Sequence, residues 1–213
     1  MKTRPAPSQP ARTVSSSRGF TIVELLVVIS IIAVLAAVTV PAVSRGVVQA
    51  RKMEAQTNCM NIVSAMDAYR SDNNGVYPDI DGRGALALTG GDDGIVLDGG
   101  ATSSTLVEAL VGGDDMSTAA ENLNGRQTSY LPMKSQNSNG TSGMDLTTYA
   151  FVDYWGNAYH VYWDADYDDE VENPLVSNAP AIKRGCIALS QGAASTLALD
   201  MTGKDARDVV KSW

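Results

Sequence analysis

The sequence predicts an α+β fold: a long N-terminal α-helix, membrane-spanning in its first half, packed on a small antiparallel β-sheet with long irregular loops. Three observations predict it. Between Leu25 and Val38 the only polar side chain is Ser30. From Met53 to Tyr69 apolar residues recur at helical spacing. Runs rich in aromatic and β-branched residues gather in the last third of the chain.

The elements fall in four segments: 1–19, 20–41, 42–74 and 75–213. Segment 1–19 is a basic leader, with Lys2, Arg4, Arg12 and Arg18 as the only charges ahead of Glu24. Phe20 to Val40 is 21 residues, and at about 1.5 Å per residue a helix of that length crosses a hydrocarbon core of ~30 Å. The basic leader then stays on the cytoplasmic side and the rest of the chain faces outward. A cleaved signal peptide and a plain anchor both fit this pattern. Neither explains Glu24, since an isolated carboxylate in hydrocarbon costs about 2.5–3.5 kcal/mol on insertion scales. A cut between Gly19 and Phe20 does explain it. The new amine of Phe20 stands four residues before Glu24 on one helix face, in reach of a charge pair within one chain or between neighbours.

Segment 42–74 continues the helix amphipathically. Met53, Cys59, Met60, Ile62, Val63, Met66 and Tyr69 form its apolar stripe, with Arg51, Lys52, Glu54, Asp67 and Arg70 between them. That stripe reads as a core-facing surface. One helix of about 50 residues is expected across both segments, with Pro41 and Gly46 the places open to a break, and Asn73-Asn74-Gly75 then Tyr77-Pro78 end it.

Asp79 to Ala150 reads as irregular, apart from a short helix opened by the capping box Thr105-Leu106-Val107-Glu108 and closed by Gly112-Gly113. Ser135 to Gly143 reads as a mobile loop. Tyr149–Val152 and Tyr159–Trp163 read as a hairpin turned at Trp155-Gly156-Asn157, and Cys186–Leu189 as a third strand.

Composition bounds the chemistry. The chain of 213 residues has a net charge of −8. The leader holds four of its sixteen basic residues, so residues 20–213 carry 12 basic against 24 acidic residues. Such a surface is unsuited to nucleic acid, whose phosphates need clustered Lys and Arg. Two cysteines, Cys59 and Cys186, allow either one bridge outside the cytoplasm or two unpaired buried thiols. His160 is the only histidine, so no transition-metal cluster is expected. With no nucleophile elbow and no phosphate loop, no enzyme is expected.

The stretch Gly19-Phe20-Thr21-Ile22-Val23-Glu24-Leu25-Leu26-Val27-Val28 closely resembles the cleavage and methylation motif of type IV pilins and type II secretion pseudopilins. Asp153-Tyr154-Trp155-Gly156-Asn157-Ala158-Tyr159 resembles the Asp-Pro-Trp-Gly-Asn-Pro-Tyr signature of the major pseudopilin, with both prolines replaced. The resemblance implies a pilin fold, cutting after Gly19 by a prepilin peptidase and N-methylation of Phe20. It further implies that Glu24 guides subunits into a helical homo-oligomeric filament and that Pro41 kinks or loosens the helix. Its expected partners are prepilin peptidase, other pseudopilins, an inner-membrane assembly platform and inner-membrane lipid. The expected place is the bacterial inner membrane, single-pass, with the head in the periplasm. Two alternatives stay open. One is a type IV pilin serving adhesion, motility or DNA uptake. The other is a membrane-tethered binding protein that never polymerises and grips its ligand through Tyr154, Tyr159 or Trp163.

Asp164, Asp166 and Asp168 alternate as the first ligands of a calcium loop do, with Glu170 next in the series. It is not an EF-hand, since Asp169 stands where glycine is needed and Leu175 where the bidentate glutamate belongs. A solvated acidic turn accounts for the residues as well. The resemblance favours calcium, because major pseudopilins bind it in a loop after the Trp-Gly-Asn turn. Ala193-Ala194, where relatives carry aspartate and glycine, implies that a second arm of ligands is missing.

Overall fold

The structure, a computed structural model, describes residues 19–80, 92–132, 135–136, 140–194, 197 and 207–213. The chain divides into two compact units, Met1–Gly46 and Val47–Trp213. The leader reading over residues 1–18 lies outside the described residues.

Helix α1 runs Ile22–Asp72, 51 residues without interruption. It is the expected single helix of about 50 residues, and no break falls at Pro41 or Gly46. A proline removes one backbone donor and crowds one carbonyl, and the long helical runs on both sides carry the helix through. In the first unit every residue of α1 is exposed, Ile22, Leu25, Ile29, Ile32 and Leu35 included. A contiguous apolar surface of that extent is untenable in water and marks a membrane or protein interface. Its length and apolar character suffice to cross a membrane. Where it ends, Gly75 N–H bonds Arg70 O at 2.8 Å, and Asn74 and Gly75 take φ of 58° and 83°. Asparagine and glycine tolerate that left-handed backbone, so the expected stop holds.

In the second unit α1 changes character. Cys59, Ile62, Ala65 and Met66 are 0–1% exposed and form one cluster with residues of the main sheet. Each large side chain so buried contributes on the order of 1.5–3 kcal/mol. The sheet comprises β1 (Asp93–Val96), β4 (Tyr159–Trp163), β5 (Cys186–Ser190) and β6 (Val210–Lys211), antiparallel in the order β1-β4-β5-β6. Helices α2 (Ala101–Val111) and α3 (Thr118–Leu123) intervene, and β2 (Gly143–Met144) pairs with β3 (Phe151–Val152) in a second, two-stranded sheet.

Several expectations are corrected. Asp79–Ala150 is not wholly irregular, since it supplies β1, an edge strand paired with β4. Thr105 does not open a helix: α2 begins four residues earlier, at Ala101. Glu108, freed from capping its own helix, accepts from Ser117 N–H and Oγ ahead of α3. The hairpin reduces to a single bridge, Val152 to Ala158, because β3 turns away to pair with β2. Of the loop at Ser135–Gly143, positions 137–139 lie outside the described residues, whereas Ser135 bridges Met144 and Gly143 lies in β2. The third strand, β5, stands where expected. Cys59 and Cys186 are both free and buried in the same apolar cluster, so no bridge links them. Burial pushes both thiols up, leaving neither poised as a thiolate.

Candidate functional site

Gly19 and the 79% exposed Phe20 precede α1, outside regular secondary structure. Glu24 is not idle in its first turn. Its Oε2 accepts from Thr21 N–H at 2.9 Å and from Thr21 Oγ1 at 2.7 Å, while Glu24 N–H donates back to Thr21 Oγ1 at 3.2 Å. This is a closed capping box, which satisfies backbone donors that the first turn leaves orphaned. Threonine three residues before glutamate signalled it in the sequence, as it did wrongly at Thr105. What separates the two is the chain upstream: Gly100 already starts a helix there. A carboxylate at a helix N-terminus is also favoured by the macrodipole.

At the turn after β3, Asp153 is the hub. It is 1% exposed. Its Oδ1 accepts from Trp155 N–H at 2.8 Å and Asn157 N–H at 2.9 Å, and its Oδ2 from Ser190 Oγ at 2.6 Å and Gly192 N–H at 3.2 Å. Asn157 Nδ2 donates to Gly192 O at 2.9 Å. One carboxylate thereby ties the turn to the end of β5. Gly156, at φ 83°, needs no proline neighbours to close it. Gly192, at φ 61°, sits where a Cβ would collide with Asp208 O. Beside the turn, the Arg51 guanidinium stacks 3.7 Å from the Tyr154 ring centroid. Tyr159 is 0% exposed, which removes it as a ligand-gripping aromatic, and Trp163, 2% exposed, shows little more than an edge.

The acidic loop departs from a linear ligand series. Asp164 is fully buried, with Oδ1 accepting from Asp168 N–H at 3.1 Å and Oδ2 from Asp169 N–H at 3.0 Å. Asp168 Oδ1 turns to Glu170 N–H at 2.9 Å, and Glu170 meets Lys183 at 3.6 Å. Of the four expected ligands only Asp164 and Asp166 come together. Their third partner is Asp92, just ahead of β1, and the three offer oxygens within 4.8 Å of one another. Sequence reasoning missed Asp92 because the antiparallel β1–β4 pairing, with Asp93 opposite Trp163, brings it across some seventy positions. Burial pushes the Asp92 carboxyl up to about 6; the Glu172 N–H opposes this, and the charges of Asp166, Asp164 and Asp168 add to it. Crowded hard oxygens of this kind suit a calcium-type cation, with carbonyls and waters completing six to eight ligands. Ser190 and Gly192 serve Asp153 and lie outside this cluster. His160, in β4, keeps its Nδ1 without a hydrogen-bond partner among the described residues, and burial holds its pKa down.

Comparison with known proteins bears on the first of these sites. Residues 14–40 match the prokaryotic N-terminal methylation motif. The chain is 39% identical over 71 residues to the type II secretion system core protein G of Pectobacterium carotovorum subsp. carotovorum. That match covers 33% of this chain and 44% of the relative, so it spans less than half of the relative's length. No solved structure matches the chain.

Proposed function

We propose that this chain, for which the methylation motif and the protein G relative support a pseudopilin-like family, is a structural subunit of a type II secretion filament. Its N-terminal apolar helix and prepilin motif fit a single-pass inner-membrane protein. A prepilin peptidase cuts after Gly19, and the head stands in the periplasm. Subunits leave the bilayer with other pseudopilins at an inner-membrane assembly platform and bury their apolar helices against one another. Burial of that surface holds the fibre, while Glu24 and the Phe20 amine of a neighbour set its register. The observation that carries this reading is the exposed apolar half of α1 headed by Phe20 and a carboxylate. Intact mass and N-terminal sequencing of protein purified from bacterial membranes test it. A chain beginning at N-methylated Phe20 is expected; one beginning at Met1 or near Val43 refutes prepilin processing.

Calcium belongs to the same proposal. Asp92, Asp164 and Asp166 would hold it, with loop carbonyls and water. Where the head lacks the cation, Asp92 is harder to ionise than an unfolded aspartate. Its folded pKa of about 6 lies above the ordinary 3.8, so stability present below pH 4 is lost as pH rises through 6. Calcium, by binding the ionised form, offsets that loss. Melting temperature is therefore expected to rise on calcium addition by roughly 5–10 °C at a hundredfold excess over Kd. The rise grows between pH 5 and pH 7 and shrinks in D92N. An identical melt in millimolar calcium and in chelator at pH 7 sinks the calcium reading.

A further inference from the structure

Beside the acidic loop lies a cavity of about 260 Å³, lined by Val76, Tyr77, Pro78, Asp79, Asp93, Trp163, Ala165 and Tyr167. Its construction follows from the fold. The β1–β4 register sets Asp93 directly opposite Trp163, so the two side chains share one face of the sheet. The chain leaving α1 brings Tyr77 and Asp79 to that face, and the acidic loop sets Tyr167, 49% exposed, at the rim. Trp163 and Tyr77 are 2% and 4% exposed and make an aromatic floor. Asp79 is exposed and Asp93 half-buried, and among the described residues neither has a basic partner. The lining contains two carboxylates, three aromatic rings and no cation.

We infer that this cavity takes the side chain of an arginine presented by a partner protein. The chemistry selects the guanidinium. Its planar face stacks on aromatic rings and its fork of N–H donors meets carboxylates, whereas a lysine ammonium is a compact, strongly hydrated point charge. The volume suits one long side chain and few waters, each of which takes about 30 Å³. The protein already uses this recognition at Tyr77 itself. Arg70 lies 5.0 Å from the Tyr77 centroid, bonds the Tyr77 hydroxyl at 3.4 Å and stands 3.6 Å from Asp169. Arg70 is thus engaged with Tyr77 and Asp169, and its ion pair is not with Asp79 or Asp93. A foreign basic segment fits better than a second copy, because beyond residue 19 the chain carries twice as many acidic as basic residues. The cavity adjoins the Asp92–Asp164–Asp166 cluster in sequence through Asp93 and Ala165 but shares no residue with it.

N-acetyl-arginine amide titrated into the full chain in detergent micelles, with calcium present, tests the site through the methyl resonances of Val76 and Ala165. Saturable shifts with a Kd on the order of 1 mM are expected for a single buried side chain. N-acetyl-norleucine amide is expected to give none, and the D79N/D93N double variant is expected to weaken binding at least tenfold while keeping its melting temperature. Unsaturable shifts, an equal response to the norleucine amide, or full binding by the double variant overturns the proposal. A photo-reactive residue replacing Tyr167 decides the source in cells. Cross-links to a different polypeptide that vanish in D79N/D93N uphold it; cross-links only to a second copy overturn the choice of a foreign partner.

Discussion

Glu24→Ala is expected to leave cleavage after Gly19 and folding of the head unchanged while reducing sheared or pelleted filaments to background. Two effects of the side chain have to be separated. Glu24 closes a capping box with Thr21, and loss of a helix cap costs typically about 1 kcal/mol. In a helix of 51 residues that loss frays one turn at most. The charge matters more. It is the one acidic residue between Phe20 and Arg51, and in the proposed array of apolar helices an ammonium held in a dry interface would need it as partner. Glu24→Gln keeps an oxygen to accept from Thr21 but no charge, so it should fail in assembly as Glu24→Ala does. Thr21→Val removes the capping hydroxyl and keeps the charge, so it should assemble. Electron microscopy of shear fractions reads all three. Wild-type filament yields from Glu24→Ala would end the assembly role and leave Glu24 as a helix cap alone.

Asp153→Ala is expected to destabilise the head by roughly 3–5 kcal/mol, the range for breaking a buried charged network. Four donors converge on this carboxylate: Trp155 N–H, Asn157 N–H, Gly192 N–H and Ser190 Oγ. Removing the acceptor strands them at a site that water reaches poorly, and each buried unsatisfied group costs about 1–3 kcal/mol. For a chain of this size the melting temperature should fall by about 6–20 °C. Asp153→Asn should fall between, since its carbonyl can serve one pair of donors while its amide opposes the other. Thermal unfolding followed by near-ultraviolet circular dichroism measures both, and a loss below 1 kcal/mol for Asp153→Ala would show that the turn holds without its hub.

Much of the site chemistry was legible where it is local. The capping pair Thr21 and Glu24 sits three residues apart, and the apolar span behind it is contiguous, so both can be read from neighbouring letters. The stop at Asn73-Asn74-Gly75 is local for the same reason, because a left-handed backbone selects small or amide side chains. The acidic loop was legible only by half. Alternating aspartates advertise hard oxygens, yet Asp168 spends its carboxylate on Glu170 N–H and Asp164 accepts from two backbone donors. Which oxygens remain for a cation depends on where the backbone turns.

By itself, then, the sequence determined the fold class, the long helix and its membrane-length front, the position of Glu24, and the tight turn at Trp155-Gly156-Asn157. Each rests on interactions within a few residues or on a periodicity that burial imposes along one element. Tertiary structure alone decided that β1 exists, since four residues including a glycine make a strand only when β4 offers its edge. It also decided that Phe151 and Val152 leave their neighbour for β2. It brought Asp92 to Asp164 and Asp166, and made Asp153 the fastener between a turn and a strand 37 residues away. Those contacts are long-range, and their partners are chosen by which surfaces the apolar core leaves facing one another.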